Sequence, residues 1–310
     1  MRKNTIHLFD NEEKTAFMKE GLQKTDFAGL NFVSSGKVRD IYSVNDHLLI
    51  VATDRISAFD VIMPDPIPGK GIILNRMSAF WFAKMEDIIG NHLISIDPAN
   101  FPAECAPYRD MLEGRSMLVK KAKPLPVECI VRGYLSGSGW KDYQNNKTIS
   151  GIVLPDGLQE SSQLPQPIFT PSTKAPEGEH DAAITKKDVK DIIGKELTDK
   201  IIKISLAIYE RAAAIAQKSG IIIADTKMEF GMLDNKLILI DELLTPDSSR
   251  FWPSAEYAEG RPQKSYDKQF LRDYLLSINW NQKPPAPQLP PDIIENTRKK
   301  YEEALKRLVV

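Results

Sequence analysis

The sequence predicts an α+β fold in two parts, and three observations favour it. The chain has 310 residues, more than the ~100–200 of a typical single domain. Strand patterns dominate its first half, whereas strands and helices mix later without the regular βαβ alternation of a doubly wound parallel sheet. Prolines interrupt residues 123–126, and a proline cannot donate a hydrogen bond to a strand ladder. We therefore expect a hinge there, between a β-rich N-terminal part (residues 1–122) and a larger α+β part (residues 123–310).

Composition and charge exclude several classes of protein. The formal net charge is -1, from 41 basic and 42 acidic residues, so no global field attracts nucleic acid or an anionic membrane. No apolar run approaches the ~18 residues of a membrane span, and the N-terminus lacks the apolar core of a signal peptide. The two cysteines, Cys105 and Cys129, have no CxxC spacing, which fits a reducing compartment. We expect a cytoplasmic protein whose partners are small molecules, not nucleic acid or membrane.

The N-terminal part is predicted to be an antiparallel meander followed by a helix. Two extended pieces span residues 33–44, a turn signal follows, and residues 47–52 form an apolar strand. Apolar residues recur at i, i+3 and i+4 over residues 77–89, which indicates a helix. Two further strands are expected at 116–122 and 127–135.

The larger part is predicted to mix helices, strands and loops. Residues 148–181 are rich in Pro, Gly and Ser and too long for a mere connection, so we expect a functional or mobile loop. Thr198 is the expected cap of a long helix that Gly220 closes. A hairpin with strands over 221–230 and 236–243 follows. The remaining elements are a short helix near 270–275, a stiff proline-rich linker at 284–291 and an amphipathic terminal helix that Asp292 opens.

The hairpin carries the most informative charges. Asp225, Lys227 and Glu229 alternate with less polar residues, so a strand places all three on one face. With a three-residue loop, Glu229 lies opposite Asp241, their Cβ atoms ~5 Å apart. Two carboxylates that close repel unless a cation lies between them, and oxygen ligands suit Mg²⁺ shared with nucleotide phosphates. The alternative is a charged sheet face that simply faces solvent.

Lys37 and Arg39 form a second candidate site. Gly36 lets a backbone approach a phosphate closely, and the two cations share one face of a strand. Neither a Walker A loop nor a GxGxxG fingerprint is present. A basic edge strand that deters aggregation explains the same pattern, so this alternative stays open.

Further polar residues follow two predicted strands. Arg132 leads into a Gly/Ser loop whose Ser136 and Ser138 can hold a phosphate or carboxylate; the alternative is a glycine-rich turn beside an exposed arginine. Arg250 either clamps an anion or pairs with Asp247. In the long loop, His180 and Asp181 are candidate substrate ligands, although a histidine in a polar loop is often merely solvated.

Five ordered blocks together resemble the SAICAR synthetase family. They are GKVRDIY (36–42), ATDRISAFD (52–60), VECIVRGYLSGSGW (127–140), ADTKMEFG (224–231) and DELLTPDSSRFW (241–252), within a resemblance that runs from about Gly36 to Tyr274. It implies an ATP-dependent ligase of de novo purine biosynthesis. The ligase would join carboxyaminoimidazole ribotide (CAIR) to L-aspartate, giving SAICAR, ADP and phosphate through an acyl phosphate. The implied fold has a small antiparallel-sheet ATP-binding domain and a larger mixed domain, distantly kinase-like, with the nucleotide between them.

The resemblance also implies residue roles, which we state as expectations. Lys37 and Arg39 would hold ATP phosphates, Val119 and Lys120 would line the adenine, and Glu229 and Asp241 would ligate Mg²⁺. Lys227 would contact the reacting group and Asp225 would orient substrate, as the catalytic pair. Arg132, Ser136, Ser138 and Arg250 would bind the ribotide and its phosphate, while the Asp54–Asp60 loop, His180 and Asp181 would meet aspartate. A small-molecule kinase with the same ATP and Mg²⁺ site, or a non-catalytic nucleotide-binding protein, is the alternative.

Overall fold

Two antiparallel sheets organise the chain, whose computed structural model describes residues 20–174 and 181–309. The first sheet has the strand order β1-β2-β3-β7-β6, and the second has the order β12-β9-β14-β15, with β8, β13 and β16 also paired to it. The strands are β1 Asn31–Ser35, β2 Arg39–Val44, β3 His47–Ala52, β4 Ser57–Ala58, β5 Val61–Ile62, β6 Leu93–Ser95, β7 Ser116–Lys120, β8 Lys123–Pro124, β9 Val127–Tyr134, β10 Thr148–Ile149, β11 Ile152–Val153, β12 Gln163–Phe169, β13 Ser172–Thr173, β14 Ile221–Leu233, β15 Lys236–Ile240 and β16 Ser249–Pro253. The predicted α+β class is confirmed.

Helices cover the second sheet and fill the space between the sheets. They are α1 Lys70–Met85, α2 Arg109–Leu112, α3 Gly137–Asn146, α4 Lys186–Ile193, α5 Lys195–Lys218, α6 Gln269–Ser277 and α7 Pro291–Val309, with short 3₁₀ turns at Pro98–Asn100, Ala103–Tyr108 and Ser254–Glu256. Within the described ranges, none of these helices combines the length and apolarity needed to cross a membrane.

Several elements differ from the sequence-based expectation. Helix α1 begins at Lys70, directly after Gly69 with a φ of 80°, because a left-handed glycine lets the chain turn into the helix. Thr198 lies inside α5 rather than at its cap, and its hydroxyl donates to the Gly194 carbonyl at 2.7 Å. The prediction that Thr198 begins the helix is therefore wrong. A threonine hydroxyl can donate to a carbonyl inside a helix as readily as it can accept from a free amide at the helix start.

Residues 163–169, predicted to be loop, form strand β12 against β9. The register jumps between the pairs Gln163↔Tyr134 and Ile168↔Arg132. Two prolines, Pro165 and Pro167, lie within this irregular stretch. Because a proline donates no ladder hydrogen bond, the strand bulges there and pairs again beyond it.

The main hydrophobic core lies between the second sheet and helices α1, α5 and α7. Trp81, Phe230 and Tyr301 are fully buried in it. Burying a side chain of this size stabilises the fold by roughly 1.5–3 kcal/mol. A smaller core under the first sheet includes Tyr42 and Leu49. The main core also includes Met117 and Val119 of β7, so the first sheet contributes to both cores.

Two backbone connections hold the sheets together near the end of β15. The proline-containing connector enters the second sheet at once, because Leu125 donates to the Phe230 carbonyl at 2.8 Å. His92 donates its amide to Leu239 of β15 at 3.0 Å, and its carbonyl accepts from Lys120 of β7 at 2.8 Å. The end of β15 is thereby fixed beside the first sheet.

Candidate active site

The pairing of β9 with β14 builds one charged face. Asp225 lies opposite Arg132, and Lys227 lies opposite Ile130, so Glu128 falls on the same face as these residues. The intervening side chains point the other way, into the core beneath α5. Asp225 and Glu229 are 5% and 9% exposed, so the solvent-facing alternative is wrong. Buried charges require partners, and each of these has one.

Lys227 lies between two carboxylates. Its ammonium contacts the Glu128 carboxylate and lies 3.8 Å from Glu229. Burial alone would lower the pKa of Lys227, but Glu128 and Glu229 raise it further than burial lowers it. Lys174, from the segment after β13, pairs with Glu229 at 2.5 Å. Lys227 therefore remains a cation, held in place by the second sheet.

The predicted register of the β14–β15 hairpin is wrong by one residue. The turn consists of Asp234 and Asn235, both with positive φ, as a two-residue hairpin turn requires. Glu229 consequently lies opposite Ile240, not Asp241. Asp241 is the first residue beyond the strand and has a φ of 63°, which breaks the strand alternation.

The Glu229 and Asp241 carboxylates nevertheless interact. Burial raises the pKa of Glu229, and the Asp241 charge raises it further. Burial would also raise the pKa of Asp241, but Arg39 and Lys227 lower it more strongly. Among the described residues, no group of three or more His, Cys, Asp or Glu side chains is arranged to hold a metal ion. A metal at this carboxylate pair therefore needs further ligands from elsewhere.

Arg39 joins the first sheet to these carboxylates. Its guanidinium pairs with Asp241 at 2.7 Å and with Glu242 at 2.5 Å. Strand β2 is an inner strand between β1 and β3, so the edge-strand alternative is wrong. Lys37 does not join the group, because its half-exposed ammonium pairs with Asp60. In β7, Val119 is fully buried and Lys120 is exposed.

Asp225 lies at the centre of a second cluster. Its Oδ2 accepts from Arg132 at 2.8 Å, from Arg250 at 2.5 Å and from the Ser136 hydroxyl at 3.3 Å. Arg132 also donates to Ser138 at 3.1 Å. Arg132 is buried, so the exposed-arginine alternative is wrong, and Arg250 pairs with Asp225 instead of Asp247. Two guanidinium groups share one carboxylate and keep a net positive charge.

The N-terminus of α3 completes this cluster. Gly137 has a φ of 57°, and a Cβ there would lie 2.2 Å from a guanidinium nitrogen of Arg250. Any larger residue here would displace the Arg250 guanidinium and strain the backbone. The Ser136 side chain does not cap the helix. The first amides of α3 and both arginines therefore offer donors to an anion.

A polar cavity of about 80 Å³ lies beside Asp225 and Arg250. Its lining includes Asp267, Lys268 and Arg272, which the sequence reasoning missed. Lys268 and Arg272 are spaced i, i+4 at the start of α6, a signal indistinguishable from an ordinary charged helix face. Glu128 was also missed, although its alternation with Ile130 and Arg132 along β9 carried a usable signal.

The residues expected to contact the substrate aspartate include Asp54, His180 and Asp181. Asp54 has structural partners. Its carboxylate accepts hydrogen bonds from the backbone amides of Leu22 and Gly71 and pairs with Arg115 at 3.2 Å. Asp181 is exposed. His180 lies outside the described residues.

The fold and these clusters first define a class: an α+β enzyme with carboxylates, a lysine and paired arginines gathered where two antiparallel sheets meet. A model of the SAICAR synthetase family matches residues 32–287. The chain therefore belongs to that family, whose members join CAIR to L-aspartate at the expense of ATP, and it is a ligase of purine biosynthesis. The small-molecule kinase alternative is not favoured.

Individual relatives agree over nearly the whole chain. The phosphoribosylaminoimidazole-succinocarboxamide synthase of Desulfosudis oleivorans is 63% identical over 292 residues, which cover 94% of this chain and 100% of that protein. The enzyme of the same name from Thermodesulfovibrio yellowstonii is 60% identical over 291 residues, covering 94% and 99%.

Solved structures show the same fold. SAICAR synthase from Saccharomyces cerevisiae, complexed with SAICAR, superposes with a TM-score of 0.85 at 46% identity, covering 93% of this chain and 97% of that one. A type-2 SAICAR synthetase in complex with ADP gives a TM-score of 0.66 at 26% identity, covering 89% and 97%.

Proposed function

We propose that this chain activates the CAIR carboxylate as an acyl phosphate on the charged face of β14, and that aspartate then displaces the phosphate. One observation carries this proposal. Lys227 is held as a cation between Glu128 and Glu229, on the same sheet face as the Arg132–Asp225–Arg250 cluster. Phosphoryl transfer between two anionic substrates requires a fixed cation beside a cluster that binds anions.

The nucleotide is proposed to lie between the two parts, residues 1–122 and 123–310. Arg39 and Lys37 come from the first sheet, and Arg39 reaches the end of β15. They would neutralise ATP phosphates, with Val119 and Lys120 beside the adenine. The related type-2 enzyme in complex with ADP supports nucleotide use.

Glu229 and Asp241 fit Mg²⁺, and we propose them as its ligands. The Asp241 charge raises the pKa of the buried Glu229 carboxylate, and a cation beside the pair would relieve that repulsion. Mg²⁺ is commonly held by one or two carboxylates together with phosphate oxygens and water, so a pair of carboxylates fits it. When bound, the ion neutralises phosphate charge. Arg39 and Lys174, which now pair with these carboxylates, would turn towards the phosphates.

The ribotide phosphate is proposed to bind the arginine cluster. Arg132 and Arg250 supply charge, while Ser136, Ser138 and the first amides of α3 supply further donors. Asp225 would orient both guanidinium groups and, through them, the substrate. The related yeast enzyme complexed with SAICAR supports a ribotide site in this fold.

The chemistry then balances in two steps. A CAIR carboxylate oxygen attacks the γ-phosphorus of ATP and ADP leaves, while Lys227 stabilises the negative charge on the transferring group. The aspartate amine attacks the acyl carbon, phosphate leaves, and the amine loses a proton to solvent. Water must stay away from the acyl phosphate, and the segment that contains His180 and Asp181 is the proposed aspartate-binding and shielding region. We expect the reaction to take place in the cytoplasm.

A coupled assay with CAIR, ATP, Mg²⁺ and aspartate, each omitted in turn, tests the proposal. Continuous ADP release over many turnovers is expected to need all four. Full ADP release without aspartate, with a stable phosphorylated product, would refute the ligase mechanism in favour of a kinase. Incorporation of ¹⁸O from the CAIR carboxylate into phosphate is expected, and its absence would refute the acyl phosphate.

A further inference from the structure

Asp247 is a buried carboxylate that ties the active-site turn to three helices. Along the chain, Asp247 comes after Glu242, which pairs with Arg39, and before Arg250, which pairs with Asp225. Its Oδ2 accepts from Lys70, the first residue of α1, at 2.7 Å and lies 3.2 Å from the Lys268 ammonium. Its Oδ1 accepts from the Tyr301 hydroxyl of α7 at 2.7 Å. The C-terminal helix thus contacts the turn directly.

The same turn is bonded to the proposed catalytic strand. The Ser248 carbonyl accepts from the Lys227 amide at 2.8 Å, and the Ser249 and Thr226 hydroxyls lie 2.8 Å apart. Within the turn, the Thr245 hydroxyl donates to Glu242 at 2.6 Å. A shift of Asp247 would therefore move the backbone that carries Arg250 and supports Lys227.

From these contacts we infer that Tyr301 is a positioning residue for the ribotide site, acting through Asp247 on the turn of residues 245–248. The inference rests on the proposed assignment of Arg250 to the ribotide. Tyr301 is fully buried, and the hydrogen bond from its hydroxyl to Asp247 connects it to this turn. The C-terminal helix is then part of the substrate site rather than a peripheral addition.

The chemistry of the contact supports a specific role. The Tyr301 hydroxyl donates to Oδ1 of Asp247, while Lys70 and Lys268 pair with Oδ2. Burial and the neighbouring Asp247 charge raise the pKa of Tyr301 well above its usual value, so the hydroxyl keeps its proton. Without that donor, one oxygen of a buried carboxylate lacks its partner, and the turn must move to find another.

Tyr301→Phe tests the inference, because it keeps the ring and removes only the donor. The KM for CAIR is expected to rise about tenfold, within the range for changes that act on a binding site without contacting its ligand. The KM for ATP should rise less than the KM for CAIR, because Arg39 pairs with Asp241 and Glu242 rather than with Asp247. Calorimetric binding of ribose 5-phosphate, at a temperature where both proteins are folded, should weaken in parallel.

Leu305→Ala is the matched control. Leu305 lies one turn further along α7, buried in the same core. This change loosens the helix without touching Asp247, so it should lower the melting temperature and leave the CAIR KM unchanged. An unchanged CAIR KM in Tyr301→Phe would overturn the inference, as would an equal rise in Leu305→Ala.

A further variant separates this inference from the proposed function. If Arg250→Met leaves the CAIR KM unchanged, the ribotide site itself is assigned wrongly and the inference fails with it. If Arg250→Met raises the KM and Tyr301→Phe does not, only the role of Tyr301 fails.

Discussion

Asp225→Asn probes the central contact of the arginine cluster. In the native protein, one carboxylate oxygen accepts from Arg132 at 2.8 Å and from Arg250 at 2.5 Å. Asparagine keeps the shape but not the charge. The two guanidinium groups then lose the carboxylate that they share.

The size of the effect follows from burial and chain length. Breaking a buried ion pair costs about 3–5 kcal/mol of unfolding free energy. For 310 residues the unfolding entropy is about 0.65 kcal/mol/K. A loss of about 3 kcal/mol should therefore lower the melting temperature by about 5 °C.

The same change should strengthen anion binding at the cluster. The net charge of Arg132, Arg250 and residue 225 rises from one to two positive charges, and a nearby unit charge in a partly buried site is worth more than 1.4 kcal/mol at an effective dielectric constant of about 20. We expect inorganic phosphate to bind about tenfold more tightly to the variant, and so to recover part of the lost melting temperature. Turnover should fall, because the arginines are no longer oriented.

Thermal unfolding during a phosphate titration is the assay, and Asp40→Asn is the control. Asp40 is also a buried aspartate paired with an arginine, Arg55, at 2.8 Å, but it belongs to the first sheet and lies outside this cluster. Phosphate should not rescue this control. No gain in phosphate affinity in Asp225→Asn, or the same gain in Asp40→Asn, would refute the assignment of an anion site to the two arginines.

Three further predictions concern the metal, the glycine turn and acid stability. Asp241→Asn should reduce turnover about a hundredfold and weaken Mn²⁺ binding measured by electron paramagnetic resonance in the presence of ADP; unchanged Mn²⁺ binding would exclude Asp241 as a ligand. Gly137→Ala should raise the CAIR KM about tenfold or more and destabilise the protein by about 1 kcal/mol, because a Cβ meets Arg250 at 2.2 Å and φ is 57°. Burial would raise the pKa of Asp40, but its hydrogen bond from Arg55 and those from neighbouring hydroxyls lower it below the usual value. The stability that Asp40 contributes is therefore complete above about pH 4 and lost as pH falls further, with a slope of at most about 1.4 kcal/mol per pH unit, and Asp40→Asn should flatten that slope in denaturant titrations.

The sequence predicted the charged face of β14 because strand alternation is a local, covalent property. Asp225, Lys227 and Glu229 share a face whatever their neighbours do. It did not predict the register across the hairpin, because a two-residue turn and a three-residue turn both fit the letters around Asp234 and Asn235. Asp241 leaves the strand with a left-handed backbone, and its charge still raises the pKa of Glu229.

The proline-rich stretch illustrates a different limit. Local composition marked residues 163–169 as loop, since prolines weaken a strand. Pairing with β9 overrode that preference because only the ladder on one side was needed at this edge. Propensity gave the wrong answer where a partner strand from elsewhere in the chain supplied the hydrogen bonds.

The sequence by itself determined the fold class, the five blocks that indicate the family, and which charged residues are candidates for chemistry. Only the tertiary structure decided their partners: Arg250 with Asp225, Arg39 with Asp241, and Tyr301 with Asp247. These last two pairs join residues that are 202 and 54 positions apart. Periodicity acts over a few residues of one segment, whereas an ion pair between distant segments depends on how whole sheets and helices pack, which no local pattern encodes.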